Sequence, residues 1–338
     1  MYTDEDLNLA IEKGIFTDES VNAFRNSLAS QKNTASVDEE NVKLIGGFND
    51  IFIVIACALL LFSSLWVLKG FNESLGLLVF ATLSWVLAEF FVLKRKMALP
   101  AIMLLLSFIG SVFYFAISLF SATSEITLIV AATLSAIAAY FHWQRFRVPI
   151  TIAVGTAAAL GILISTVTAI VPNATGWLQL MFFISGIVAF SLAMVWDASD
   201  TKRVTHKSDV AFWLHLLSAP LIIHPIFSSL GILAGDESLA SLATVIMLYL
   251  VMTSISIAVD RRAFMVSSLA YVVYAVSSII ETLGGVGYSF ALTGVFMGGA
   301  LLILSAYWHS VRANLVARLP EAIQQHLPKI KDVYTRDQ

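Results

Sequence analysis

After Asp50, charged residues punctuate the chain at long intervals, and the stretches between them are almost wholly apolar. Uncharged runs occupy 51–68, 97–124, 148–196, 210–235, 238–259, 263–280 and 282–308; shorter ones lie at 74–93, interrupted by Glu89, and at 126–141. A helix rises 1.5 Å per residue, so about 20 residues cross a hydrocarbon layer about 30 Å thick. The 148–196 run is too long for one crossing, and Pro172-Asn173-Ala174-Thr175-Gly176 divides it. The pattern predicts ten spans: 50–69, 74–93, 98–121, 125–143, 148–171, 176–196, 209–233, 238–259, 263–281 and 286–309. The fold class expected is an all-α, polytopic transmembrane helical bundle.

Composition agrees. Apolar residues make up 58% of the 338 residues and charged residues 13%, against about 25% charged in a soluble domain. Mean hydropathy is +0.85. A water-soluble fold cannot hide that much apolar surface. The single cysteine, Cys57, excludes a disulfide scaffold and a cysteine-based zinc site.

The bases set an orientation. Lys94-Arg95-Lys96, Arg145 with Arg147, Lys202-Arg203 with Lys207, and Arg261-Arg262 fall in alternate connections. Together with four bases in the N-terminal segment and five in the C-terminal tail, 19 of the 20 lie on one side, and only Lys69 on the other. The positive-inside rule then predicts both termini in the cytoplasm (N-in/C-in) and a bacterial-type inner membrane as the location. Trp66 and Trp177 near outer ends, and Trp143, Trp196 and Trp308 near inner ends, suit interfacial belts. A polar segment of fifty residues precedes the first span, so a cleaved signal peptide is not expected.

Residues 1–50 hold 10 acids and 4 bases. Residues 1–30 predict a cytoplasmic helical hairpin: Thr3 caps a first helix, Gly14 ends it, and Thr17 caps a second. Its six core side chains (Leu7, Ile11, Phe16, Val21, Phe24, Leu28) are too few for independent stability, which points to a protein partner or to the membrane domain; a regulatory or docking module and a passive cytoplasmic leader are the two readings. Residues 31–47 predict a tether, 48–309 the ten-span domain, and 310–338 a cytoplasmic tail. In that tail Val311, Leu315, Leu319, Ile323 and Leu327 recur on one side, with Arg312 and Arg318 placed for lipid phosphates. An extension of the tenth span is the other reading of the same residues.

The inward-running spans end alike, with acids, aromatics and bases as in Glu89…Lys94, Tyr140…Arg145, Trp196-Asp197…Arg203, Asp260-Arg261-Arg262 and Tyr307…Arg312. Duplicated two-helix hairpins would give this pattern, and so would the common demands of one interface. The opening Leu7…Ala10-Ile11-Glu12-Lys13-Gly14-Ile15-Phe16-Thr17-Asp18-Glu19, with a tether and hairpin-like spans after it, resembles a broad group of uncharacterised bacterial multi-pass inner-membrane proteins. The resemblance implies the general architecture and carries no activity.

Polar groups inside a bilayer are costly and mark functional candidates. The seventh span holds His215, Pro220, His224 and Pro225. The two histidines are nine residues apart, roughly 13 Å along a helix, so they do not share one zinc ion. They are candidate linings of a proton-coupled or polar-solute conduit, or they make ordinary interhelical hydrogen bonds. Glu89 lies at a depth similar to His215, so the two are a candidate pair; binding to Lys94 or Arg95 is the alternative. Ser267, Tyr271, Tyr274, Ser278 and Glu281 step by four and three along one face of the ninth span, which must meet protein or water. Gly294 and Gly298 (GxxxG), and Ala157 with Gly161, suit close helix packing. Asp197, Asp200, Arg203 and Asp209 form a polar loop cluster in which Asp200 can pair with Arg203 and Ser208 or Asp209 can cap the seventh span. A divalent-ion or phosphate site at Asp197, Asp200 and His206 has no known spacing behind it.

Nucleotide, zinc-protease, thiol-redox and nucleophile-elbow motifs are absent. No nucleic-acid face, cofactor or metal site is expected. The function expected first is a secondary transporter or permease for a small solute, proton-linked through His215, His224 or Glu89. The alternatives are a non-catalytic scaffold or sensor binding a partner through the N-terminal hairpin, and an intramembrane metal hydrolase using His215 with two of His142, His206 and His309.

Overall fold

The computed structural model describes residues 10–11, 13–17, 19–21, 48–120, 124–200, 205–230, 238–282, 287–324 and 327. The chain divides into two compact units, Met1–Val42 and Lys43–Gln338. In the first, the amides of Gly14 and Ile15 close a turn on Ile11 and Ala10, with Gly14 at φ +68°. Thr17 and Ser20 cap each other, the Thr17 hydroxyl accepting from the Ser20 amide and the Ser20 hydroxyl from the Thr17 amide. The rest of the predicted hairpin and the whole tether lie outside the described residues.

Among the described residues of the second unit every regular element is a helix. Its elements are α1 Phe48–Lys69, α2 Glu73–Ala88 running on as a π-helical stretch Glu89–Lys94, α3 Ala98–Ser118, α4 Glu125–Phe146 and α5 Ile150–Ile170. After a 3₁₀ turn at Ala174–Trp177 come α6 Leu178–Ala198, α7 His206–Ser229, α8 Leu239–Val259, α9 Ala263–Thr282, α10 Ser289–Ala306, α11 Trp308–Val316 and α12 Glu321–Gln324. Among the described residues, ten helices, α1 to α10, are long and apolar enough to cross a membrane. Large apolar side chains such as Phe52, Leu59, Val86, Met247, Val295 and Phe296 face outward, as a protein bathed in hydrocarbon requires. Packing between such helices gains no hydrophobic driving force; close contact and hydrogen bonds hold them.

The caps follow local chemistry. Asn72, Ser124 and Ser238 accept amide hydrogens at the starts of α2, α4 and α8. The seventh helix begins one turn earlier than Ser208 or Asp209 would place it. Its cap is Thr205, whose hydroxyl accepts from the Lys207 amide while its own amide and hydroxyl both donate to Asp200. At its other boundary, α6 runs on to Ala198. Asp197 and Ser208 therefore belong to helices rather than to a loop. Helices α2, α4 and α8 are followed by tight joints in which Lys96, Arg147 and Asp260 adopt left-handed backbone, at φ +52°, +55° and +60°.

Two cores form. One gathers α1 to α4 and the start of α5 around Leu61, Phe80, Leu104, Leu105 and Phe146. The other gathers α7, α8 and α9 around Ile223, Phe227, Leu242, Phe264 and Ala275, touched by Phe190 of α6 and Met297 of α10. A small seam of Ala153, Ala193, Val210 and Leu214 joins them. Among the described glycines the tightest surroundings are those of Gly186, where α6 meets α7. A methyl group on Gly186 would stand 2.7 Å from Ile222 Cγ1 and 2.9 Å from the backbone at Leu221 and Ile222. That stretch of α7 lies between Pro220 and Pro225, and Pro225 leaves the Leu221 carbonyl without its helical donor. By contrast a methyl on Gly294 or Gly298 would meet nothing within 4 Å, and one on Gly161 makes ordinary contact with Ala132. Among the described residues, then, nothing stands within 4 Å of where the Gly294 and Gly298 methyl groups would be.

Candidate functional site

Two polar clusters converge on α7. The deeper is sealed. His215 Nε2 lies 2.8 Å from Asp197 Oδ2, and the other carboxylate oxygen of Asp197 takes a 2.7 Å bond from Arg261 Nη2. The same guanidinium nitrogen donates to the Ser208 carbonyl and hydroxyl oxygens at 3.1 Å. Asp197, His215 and Arg261 are each 1% exposed or less. The cluster thus ties the end of α6 and the first turns of α7 to the joint between α8 and α9. Phe190 and Phe264 set ring edges against the imidazole, and Phe212 lies under the guanidinium at 6.0 Å. In such surroundings a lone charge is prohibitive, whereas a carboxylate with two donors is tolerated.

The second cluster is open. His224 Nδ1 and the Tyr271 hydroxyl are 2.6 Å apart, and Ser228 Oγ stands 3.4 Å from Nε2. Phe227 stacks on the Tyr271 ring at 4.6 Å, fixing the phenol. His224 is exposed at the surface of the chain although it sits among the apolar residues of a span. The polar face of α9 therefore splits. Tyr271 turns to α7, Ser278 is buried, Ser267 is half-buried, and Tyr274 and Glu281 face outward.

Glu89 does not meet His215. It holds Arg145 through two parallel bonds of 2.8 and 2.7 Å. The reason is lateral order: α2 packs beside α3 and α4, in the core opposite to that of α7. Glu89 opens the π-helical stretch of α2, after which the Arg95 and Met97 amides reach back to the carbonyls of Phe90 and Phe91. Among the predicted loop cluster, Asp197 is in the sealed network, Asp200 holds Thr205, and Asp209 stands half-buried in the first turn of α7. Arg203 lies outside the described residues.

His142 occupies separate surroundings, 3.3 Å from the Thr151 hydroxyl and boxed by Trp85, Phe108 and Phe146. Among the described residues no three His, Cys, Asp or Glu side chains converge on a metal-sized site.

Sequence reasoning missed Arg261 as a partner, since its position after an inner span end reads as topology alone. It also missed Gly186, which belongs to no motif. Asp260 was visible as a member of the recurring inner-end pattern, Trp308 also as a belt residue and Arg312 also as a candidate for lipid phosphates; none was read as part of one contact. Comparison of the chain with protein-family models, curated proteins and solved structures finds no match.

Proposed function

We propose that this integral membrane protein is a permease for a small polar solute, proton-linked, with the His224–Tyr271–Ser228 cluster as its solute-facing lining. One observation carries the reading. A hydrogen-bonded imidazole and phenol join two adjacent spans, the imidazole exposed and the phenol half-buried, amid apolar residues whose expected surroundings, lipid tails, offer neither donor nor acceptor. Such groups call for water or a polar solute beside them. The sealed Asp197–His215 pair, on the same helix and roughly 13 Å away at 1.5 Å per residue, is a second proton-holding element reached along α7. Both termini are placed in the cytoplasm of a bacterial-type cell under this reading, from the distribution of bases.

The test uses proteoliposomes that enclose a pH-sensitive dye, challenged with panels of sugars, amino acids and organic acids. At least one panel member is expected to change the internal pH in a protein-dependent manner. His224→Phe is expected to slow that change at least tenfold, and Tyr271→Phe by several-fold, with folding intact by size-exclusion chromatography. A protein that moves no panel member, or that moves one equally well after His224→Phe, removes the reading.

A further inference from the structure

The C-terminal segment does not hang free of the bundle. Trp308 Nε1 donates to Asp260 Oδ1 at 2.8 Å, and Arg312 Nε lies 3.8 Å from the same oxygen. Trp308 and Arg312 are both buried. Arg262 spreads its guanidinium over the Trp308 ring at 5.2 Å. Further along, Val316 and Leu327 bury themselves with Val259 against Phe190, Met194 and Leu319. Arg312, expected at lipid phosphates, is turned inward to an acid of the protein.

What this segment grips is a joint of three residues, 260–262, between α8 and α9. Asp260 carries the segment, and its neighbour Arg261 carries the Asp197–His215 network. The joint has little freedom of its own. Asp260 is left-handed, the Arg261 amide returns to the Ser256 carbonyl at 2.9 Å, and the Ser256 hydroxyl donates to the Arg261 carbonyl. The two side chains therefore leave adjacent positions of one constrained joint. Phe190 gives a second route, since it packs against the cluster of Val259, Val316 and Leu327 and its ring centre lies 5.4 Å from that of His215.

We propose that α11, Trp308–Val316, is a latch: docked on Asp260, it holds the Asp197–His215–Arg261 network closed to water, and released, it lets that network open. The inference does not depend on the permease reading, because opening to water is measurable with no solute present.

A cysteine on the network face of α7 reports the opening. Ser208→Cys stands within the network, and Ala211→Cys, at a fully buried alanine one turn on, serves as a second reporter that removes no hydrogen bond. The native Cys57, buried in the other core, is the internal control. Each reporter is combined with Trp308→Phe, which deletes the indole donor and keeps a ring, and with Arg312→Gln. The purified full-length protein is treated with a water-soluble maleimide and labelling at each cysteine is followed by peptide mass spectrometry. Loss of the latch contacts is expected to raise labelling at position 208 or 211 at least tenfold while Cys57 stays protected. Unchanged labelling at both reporters overturns the proposal. So does a parallel rise at Cys57, which would make the segment an ordinary part of the fold.

Discussion

Asp197→Leu is expected to be the most damaging single replacement in the membrane unit, at about 3–5 kcal/mol. It leaves the Arg261 guanidinium and the His215 ring buried without the carboxylate that holds both. The cost arises from the stranded cation more than from the lost bonds, which is why it should be recoverable. In the triple variant Asp197→Leu, His215→Leu, Arg261→Met the buried carboxylate and guanidinium are removed together, and most of the lost stability should return. Unfolding in detergent, followed by the fraction folded against rising dodecyl sulfate, measures both. An Asp197→Leu protein as stable as the wild type would show that the network is not closed as described. A triple variant no better than the single would show that the ion cluster supplies more than charge balance.

The second large effect is expected at Gly186→Ala. The added methyl falls within 3 Å of backbone atoms of α7, and backbone cannot swing aside as a side chain does. Overpacking of this kind costs about 1–3 kcal/mol, and more where nothing yields; a value near the top of that range is expected here. Gly294→Ala and Gly298→Ala serve as matched controls. Their methyl groups meet open space, and alanine is the better helix former by about 1 kcal/mol, so these changes should be neutral or slightly stabilising. The same titration ranks all three. Equal behaviour of Gly186 and Gly294 would contradict the close crossing of α6 and α7.

The contrast between these glycines shows where sequence reading reached its limit. A GxxxG spacing reports that a helix can be approached closely, not that anything approaches it. Gly186 has no such partner four residues away, and its importance comes from the stretch of α7 opposite. Depth was legible in the same partial way. Counting residues from span ends placed Glu89 and His215 at similar levels, but says nothing of which helices are neighbours, and the structure gives Glu89 to Arg145 and His215 to Asp197. The ten spans were legible because each obeys a local rule of length and charge. Asp197 was misplaced because it follows directly on an apolar run, where a loop is the ordinary expectation; the helix continues to Ala198 and carries the acid inside. His224 and Tyr271 were each visible as polar residues in apolar company, and only the fold brings them within 2.6 Å.

The left-handed residues at 96, 147 and 260 carry one more implication. Glycine would reach that geometry with less steric penalty, by roughly 1–2 kcal/mol at each position. The chain instead tolerates a lysine, an arginine and an aspartate at these three joints. Bending ease and electrostatic content are thereby separable: a glycine at position 260 would keep the corner and erase the carboxylate, so the corner's chemistry can be withdrawn without straightening the path of the chain.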